Sequence, residues 1–208
     1  MTLRDARTLG VLLVALALTV SGSAVAGPVL GSTAFDGADR SDAGASTDAT
    51  SDTDAAQTSI DSCTTIDQPG NYALTADIEN AGNTAISQSC IEITADDVTL
   101  DGDGHLIDGR GESHTRGIAV RGAEGVTIEN VEVRDWHAGV FVSKGSVTVR
   151  DVRTVSNAYG LRLENATDVR VENGTVEENL VGIYTNTENL TVNGTDFSGN
   201  EMRLKEDH

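Results

Sequence analysis

The sequence predicts an all-β solenoid: a single-stranded right-handed parallel β-helix of about five coils of 21–22 residues, preceded by an N-terminal cap. Glycines recur at Gly117, Gly139, Gly160 and Gly182, and Val126, Val147, Val169 and Leu190 recur in step with them, always 21 or 22 residues apart. A period of that length marks a repeat architecture in which each unit is one turn. Within each unit, short pieces such as "GIAV", "VTI" and "VEV" alternate apolar with polar residues, as strands do when one face is buried. Asn, Asp and Gly stand between them, where tight corners need left-handed backbone angles. Parallel strands joined in this way connect right-handedly in about 98% of cases. A leucine-rich repeat has a similar period, but its leucine ladder is absent and Val outnumbers Leu in the repeats.

The elements follow in order along the chain. Residues 1–26 read as a signal peptide: Arg4 and Arg7 precede an apolar run from Gly10 to Val20, and small residues end in "AVA" at Ala24–Ala26. The run is too short for the ~20 apolar residues of a spanning helix, so no transmembrane segment is expected after signal removal. Residues 27–62 are rich in Asp, Ser, Thr, Ala and Gly, and read as a disordered acidic linker. Residues 63–90 are assigned to the cap, and residues 91–208 to the β-helix, whose first coil is "IEITADDVTLDGDGHLIDG". Cys63 and Cys90 are the only cysteines, and an even count in an exported chain predicts one disulfide between cap and first strand.

Stacked coils make columns. The inward columns are read as Ile118, Val140, Leu161, Ile183; as Ile128, Val149, Val171, Val192; and as Val133, Val155, Val176, Phe197. Outward columns set Glu129, Arg150 and Glu172 one strand apart, and Glu132 beside Arg153, so opposite charges meet between coils.

Acidic residues outnumber basic ones 33 to 14, for a net charge of −19, and only Lys144 and Lys205 are lysines. Such a surface repels itself unless counterions are abundant, and it resembles that of secreted proteins from extreme halophiles. No basic stripe exists to neutralise phosphates, which excludes nucleic acid as an expected partner.

The chemistry-bearing residues gather before and on one strand column. Ala119, Phe141, Arg162 and Tyr184 are expected to face outward, flanked by Trp136, His137 and Tyr159. Exposed rings beside hydrogen-bonding groups suit the faces and hydroxyls of sugars, so Trp136, Phe141, Tyr159, Arg162 and Tyr184 are the candidate substrate-binding residues. Asp135, His137 and Arg162 are the candidates for proton abstraction, should the chain be catalytic. "DGDGH" at Asp101–His105 has the look of a Ca2+ loop but lacks the later acidic ligand of an EF-hand, so it is read as a corner. No cofactor is expected. Asn165, Asn173, Asn189 and Asn193 each begin a glycosylation sequon in the last two coils.

From "CIEITADDVTLDGDGHLIDG" at Cys90–Gly109 and the recurring "GIAVRGAEGVTIENVEV" motif, the chain resembles the pectate-lyase-like superfamily of parallel β-helices. Among these it is most similar to NosD-like, carbohydrate-binding-and-hydrolase repeat proteins of secreted haloarchaeal type. The resemblance spans residues 63–204 and implies a carbohydrate partner, but the acidic and basic motifs of pectate lyases and polygalacturonases are missing. His105, His114 and His137 have irregular spacings and no Met or Cys companions, which argues against the copper chemistry associated with NosD. The expectation is therefore an exported, halophilic module, extracellular or at the cell surface, that contacts a polysaccharide or surface glycan without catalysis. A polysaccharide lyase, hydrolase or epimerase is the first alternative, and a structural or adhesive protein-binding module the second. The oligomeric state is left open by the sequence.

Overall fold

The computed structural model describes residues 57–79, 81 and 84–207. The signal peptide at 1–26 and the linker up to residue 56 lie outside the described residues. The strands are β1 (Thr58–Ile60), β2 (Thr64–Ile66), β3 (Gly70–Leu74), β4 (Ser89–Ile93), β5 (Val98–Asp101), β6 (Leu106–Asp108), β7 (Arg116–Arg121), β8 (Val126–Glu129), β9 (Glu132–Arg134) and β10 (Ala138–Ser143). They continue as β11 (Ser146–Arg150), β12 (Arg153–Val155), β13 (Tyr159–Glu164), β14 (Asp168–Glu172), β15 (Thr175–Glu177), β16 (Val181–Thr185), β17 (Leu190–Asn193), β18 (Asp196–Ser198) and β19 (Met202–Glu206).

These strands form three parallel sheets. Sheet A runs β1-β3-β5-β8-β11-β14-β17, sheet B runs β2-β4-β7-β10-β13-β16-β19, and sheet C runs β6-β9-β12-β15-β18. From β7 onward each coil gives one strand to each sheet and neighbours in a sheet lie 21–22 residues apart, as at Val140↔Leu161 and Leu161↔Ile183, whereas the coil read as the first is longer, with Ile91 paired to Ile118 and Leu106 to Glu132. The segment read as a cap already follows this plan. Its strands β2 and β3 join sheets B and A, and Ile78 forms a parallel bridge with Ile107 at the sheet C position. Order also begins earlier than Cys63, because Thr58–Ile60 pairs with Tyr72–Leu74, placing the end of the expected linker in sheet A. Cys63 and Cys90 are disulfide-bonded, with Cα atoms 4.4 Å apart.

The glycine column has a steric cause. A Cβ on Gly117, Gly139, Gly160 or Gly182 would lie 2.7–2.8 Å from the carbonyl oxygen of the next coil, that is, of Gly139, Gly160, Gly182 and Arg203 in turn. The strands bend inward at these positions so closely that only hydrogen fits. Immediately after each glycine, Ile118, Val140, Leu161 and Ile183 are buried in register. Corner asparagines and aspartates take left-handed φ as expected, at Asn130, Asp151 and Asn173 (52°, 52° and 53°).

One predicted inward column is shifted. Thr154, not Val155, pairs with Val133 and Val176, and Thr154 is fully buried. Val155 lies outward between Arg134 and Glu177, where those long side chains leave it 8% exposed. Hydrophobicity favoured Val155 in the sequence, but strand phase selects its neighbour. Between the coils, Arg150 pairs with Glu129, while Arg153 bridges Glu132 at 2.6 Å and also reaches Glu177. Sheets A and C thus carry neutralised charge ladders on their outer faces.

Candidate functional site

The outer face of sheet B is built differently from those of sheets A and C. Two outward positions repeat on its strands. The position just before each column glycine holds Arg116, Ala138, Tyr159 and Val181 in register. Two residues after the glycine, Ala119, Phe141, Arg162, Tyr184 and Lys205 stand side by side. Ala119, Ala138 and Phe141 form a buried apolar cluster separate from the core, with Tyr159 packed against it.

Along this face the rings make a continuous row. His114 stacks on His137 with centroids 5.1 Å apart and planes at 16°. His137 meets Tyr159 edge to face at 5.4 Å, and Tyr159 meets Tyr184 in the same manner at 5.8 Å. The Arg162 guanidinium lies 5.2 Å from the Tyr159 ring and 5.6 Å from the Tyr184 ring, within cation–π range of both. Glu164 holds that guanidinium from the side, with Oε1 accepting from Nε at 2.7 Å. At the end of the row Tyr184 donates to Asp207 Oδ2 at 2.9 Å, a bond that raises its phenol pKa above the ordinary value.

Three predicted site residues stand where the sequence reading put them, half-exposed on this face: Tyr159, Arg162 and Tyr184. Phe141 also faces outward but is no open platform. It is 4% exposed, because Arg116 covers its ring at 4.4 Å and Arg121 at 5.3 Å.

Trp136 is a correction. Its side chain is 2% exposed and belongs to the core, where its indole N–H donates to the Ile107 carbonyl at 3.1 Å. It occupies the column of Asn157, Asn179 and Asn200, which points into the corner between sheets C and B. There Asn157 Oδ1 accepts the backbone N–H of Trp136, and Asn179 Oδ1 that of Asn157. The sequence reading judged Trp136 by nearness to an outward strand, whereas its phase belongs to this internal ladder.

The proton-abstraction group is likewise taken apart. Asp135 sits 4.0 Å from Arg134 on the sheet C side, and its carboxyl pKa is raised, first by burial and then by Asp108. His137 instead faces His114, Tyr159, Arg162 and Arg116 on the sheet B side, and its pKa is lowered, first by burial and then by the charges of His114, Arg162 and Arg116. Asp135 and His137 thus serve different faces of one corner. The Asp101–His105 loop is a corner: Asp101 Oδ1 accepts from the Asp103 N–H at 2.9 Å and from Asn130 Nδ2 at 3.2 Å, while His105 pairs with Asp77. The acceptor asparagines are all exposed: Asn165 between β13 and β14, Asn173 just after β14, Asn189 just before β17, and Asn193 as the last residue of β17.

Arg116 and Arg121 were missed in the sequence, and His114 was weighed there only as a metal ligand. Arg116 was findable, since it precedes Gly117 as Tyr159 precedes Gly160. Beside the ring row, a shallow groove of about 490 Å³ borders His137, Ser156, Ala158, Glu178 and Leu180. The face is extended and ridged, with one ring per coil from His114 to Tyr184.

No curated protein and no solved structure matches the chain. Residues 116–204, the span that holds the regular coils and the whole ring row beyond His114, match the family described as right-handed β-helix region, and the three parallel sheets identify the fold of this chain as a right-handed parallel β-helix.

Proposed function

We propose that the protein is an exported, salt-adapted β-helix module that binds a polysaccharide or surface glycan along the outer face of sheet B, without catalysis. The observation that carries this reading is the Tyr159–Tyr184 pair with the Arg162 guanidinium within cation–π range of both rings. Strands of successive coils repeat at roughly 4.8 Å, so two coils span about one disaccharide, and the aromatic rings offer apolar area while Arg162 and Glu164 offer hydrogen bonds. Dispersal of Asp135 and His137 to two sides of a corner favours binding over proton abstraction. Export rests on the N-terminal segment, and salt adaptation on the net charge of −19. Glycosylation at Asn173, Asn189 and Asn193, which lie at the ends of sheet A strands, is compatible with the same picture, while Asn165 stands at the corner between sheets B and A.

A glycan array probed in molar salt tests the reading. Wild-type protein is expected to retain a small set of related glycans, and Tyr159→Ala is expected to lose them. Retention of none, or equal retention by the variant, would reject it. Release of unsaturated or reducing ends from a bound polysaccharide would replace the non-catalytic part with the lyase or hydrolase alternative.

A further inference from the structure

We propose that the end of the solenoid formed by β17, β18 and β19 is an interface with a second copy of this chain, docked head to head about a two-fold axis. This end surface is distinct from the outer face of sheet B, and the pairing does not depend on what that face binds. The three inward columns run buried through β14, β15 and β16, where Val171, Val176 and Ile183 are each 1% exposed. One coil later their partners Val192, Phe197 and Leu204 stand half open, Val192 at 36% and Leu204 at 43%. At the other end of the solenoid, Ile60 on β1 and Ile66 on β2 are buried. The strands β17, β18 and β19 are also the last of their sheets, so their outer edges present rows of backbone donors and acceptors that another strand can pair with.

Arg203 decides which way round the copy docks. It stands next in the glycine column, opposite Gly182, and its guanidinium folds over the Phe197 ring at 4.4 Å. A Cβ on Gly182 would come within 2.7 Å of the Arg203 carbonyl oxygen. Arg203 has such a Cβ, so a further coil laid parallel on β19 would collide with it in the same way, and a head-to-tail stack is blocked. In a head-to-head pair the strands run antiparallel. With the axis through the middle of sheet A, β17 meets its own counterpart and β18 meets the copy's β19. β17 carries no charged residue, and pairing about Thr191 sets Leu190 beside the copy's Val192, twice over by symmetry. Setting the inward Phe197 opposite the inward Leu204 places Asp196 opposite Lys205 and Ser198 opposite Arg203. Glu206 then falls opposite Thr195, so no two carboxylates meet. Among the described residues Asp196, Arg203 and Lys205 have no ion pair, whereas Arg150, Arg153 and Arg170 are paired with Glu129, Glu132 and Asp168. The copy supplies the missing partners at Asp196 and Lys205, and an isologous contact of this kind closes as a dimer.

The edge strands supply 4, 3 and 5 residues, fewer than the roughly 20–30 per side of a standard interface, so a dissociation constant in the micromolar range is expected. Sedimentation equilibrium of the full mature chain over roughly 1 to 200 μM, at the lowest salt that keeps it folded, tests the pairing. The expected result is a monomer–dimer equilibrium with no larger species. Thr191→Lys sets two lysines side by side at the axis from an exposed, outward position, and should weaken the dimer about five- to tenfold. Asp196→Lys should weaken it likewise, and Asp196→Lys combined with Lys205→Asp, which only exchanges the pair, should restore it. An unchanged melting temperature of the monomer at about 1 μM separates lost pairing from lost folding. A monomer at every concentration, or a dimer that neither single variant weakens, overturns the proposal. Growth beyond the dimer would reveal head-to-tail contact and overturn the two-fold arrangement. A doubly exchanged variant no tighter than Asp196→Lys would overturn the pairing of β18 with the copy's β19.

Discussion

Asn157 Nδ2 donates to Asn179 Oδ1 at 3.0 Å, one coil further along the solenoid, inside the corner between sheets C and B. The same oxygen also accepts the Asn157 backbone N–H at 2.9 Å, and Asn179 repeats both bonds with Asn200. Both Asn157 and Asn179 are buried, so the backbone polarity of each turn is satisfied by the amide of the next. Replacing Asn179 by Ala would leave the Asn157 backbone N–H and one Asn157 Nδ2 hydrogen without their acceptor. A loss of about 2–4 kcal/mol in chemical denaturation is expected, with the folding of single coils uncoupled if the effect is larger.

Thr154 supplies the opposite sign. Its hydroxyl is buried without a hydrogen-bond partner, in a column otherwise made of Val133, Val176 and Phe197. Thr154→Val removes an unpaired polar group and keeps the shape, and should stabilise the protein by about 1 kcal/mol. Destabilisation on denaturant unfolding would mean that the hydroxyl has a partner such as a trapped water.

Trp136 and Tyr184 should separate core from surface. Trp136→Ala opens the interior beneath Gly109 and Gly117, both of which approach the indole, and is expected to cost about 3–5 kcal/mol. Tyr184→Ala, on a half-exposed ring, should change stability by less than about 1 kcal/mol, while weakening glycan binding. Thermal melts of the two variants side by side check this contrast.

His137 makes stability depend on pH. Its folded pKa is lowered by burial and by His114, Arg162 and Arg116, so the unfolded chain binds protons more readily than the folded one. The sign follows: stability is fully present above the unfolded value of about 6.5 and is lost as the pH falls from there through the lower folded value. His137→Gln should flatten the fall in melting temperature between pH 7 and 5. An identical fall in the variant would place the titration elsewhere.

How much of this was legible in the sequence depends on which contacts leave a periodic trace. The coil plan was legible because the glycine column is enforced by backbone collision with the next turn, at Gly139, Gly160 and Gly182 alike. Inward aliphatic columns were legible from the two-residue strand period, except where Thr154 hides a buried position behind a polar side chain and offers Val155 as a decoy, and at Val192, read as inward but 36% exposed on β17. Trp136 was misread because a tryptophan stands in an asparagine column, where its indole N–H does the donating that amides do in later coils. Phe141 was placed on the correct face, but its cover by Arg116 and Arg121 depends on the side-chain reach of residues one coil earlier, which spacing does not encode. Arg116 ends the irregular stretch "RGESHTR", which obscured its phase.

The central claim is that the ligand surface is the outer face of sheet B. Chemical-shift mapping of the mature protein in molar salt, titrated with a glycan that the protein retains on the array, tests it most directly. The account predicts perturbations concentrated on His114, Arg116, His137, Tyr159, Arg162 and Tyr184, with the resonances of Arg150 and Arg153 on sheets A and C unmoved. Perturbations centred on sheet A or C, or no perturbation at a ligand concentration that binds the protein by calorimetry, would contradict it.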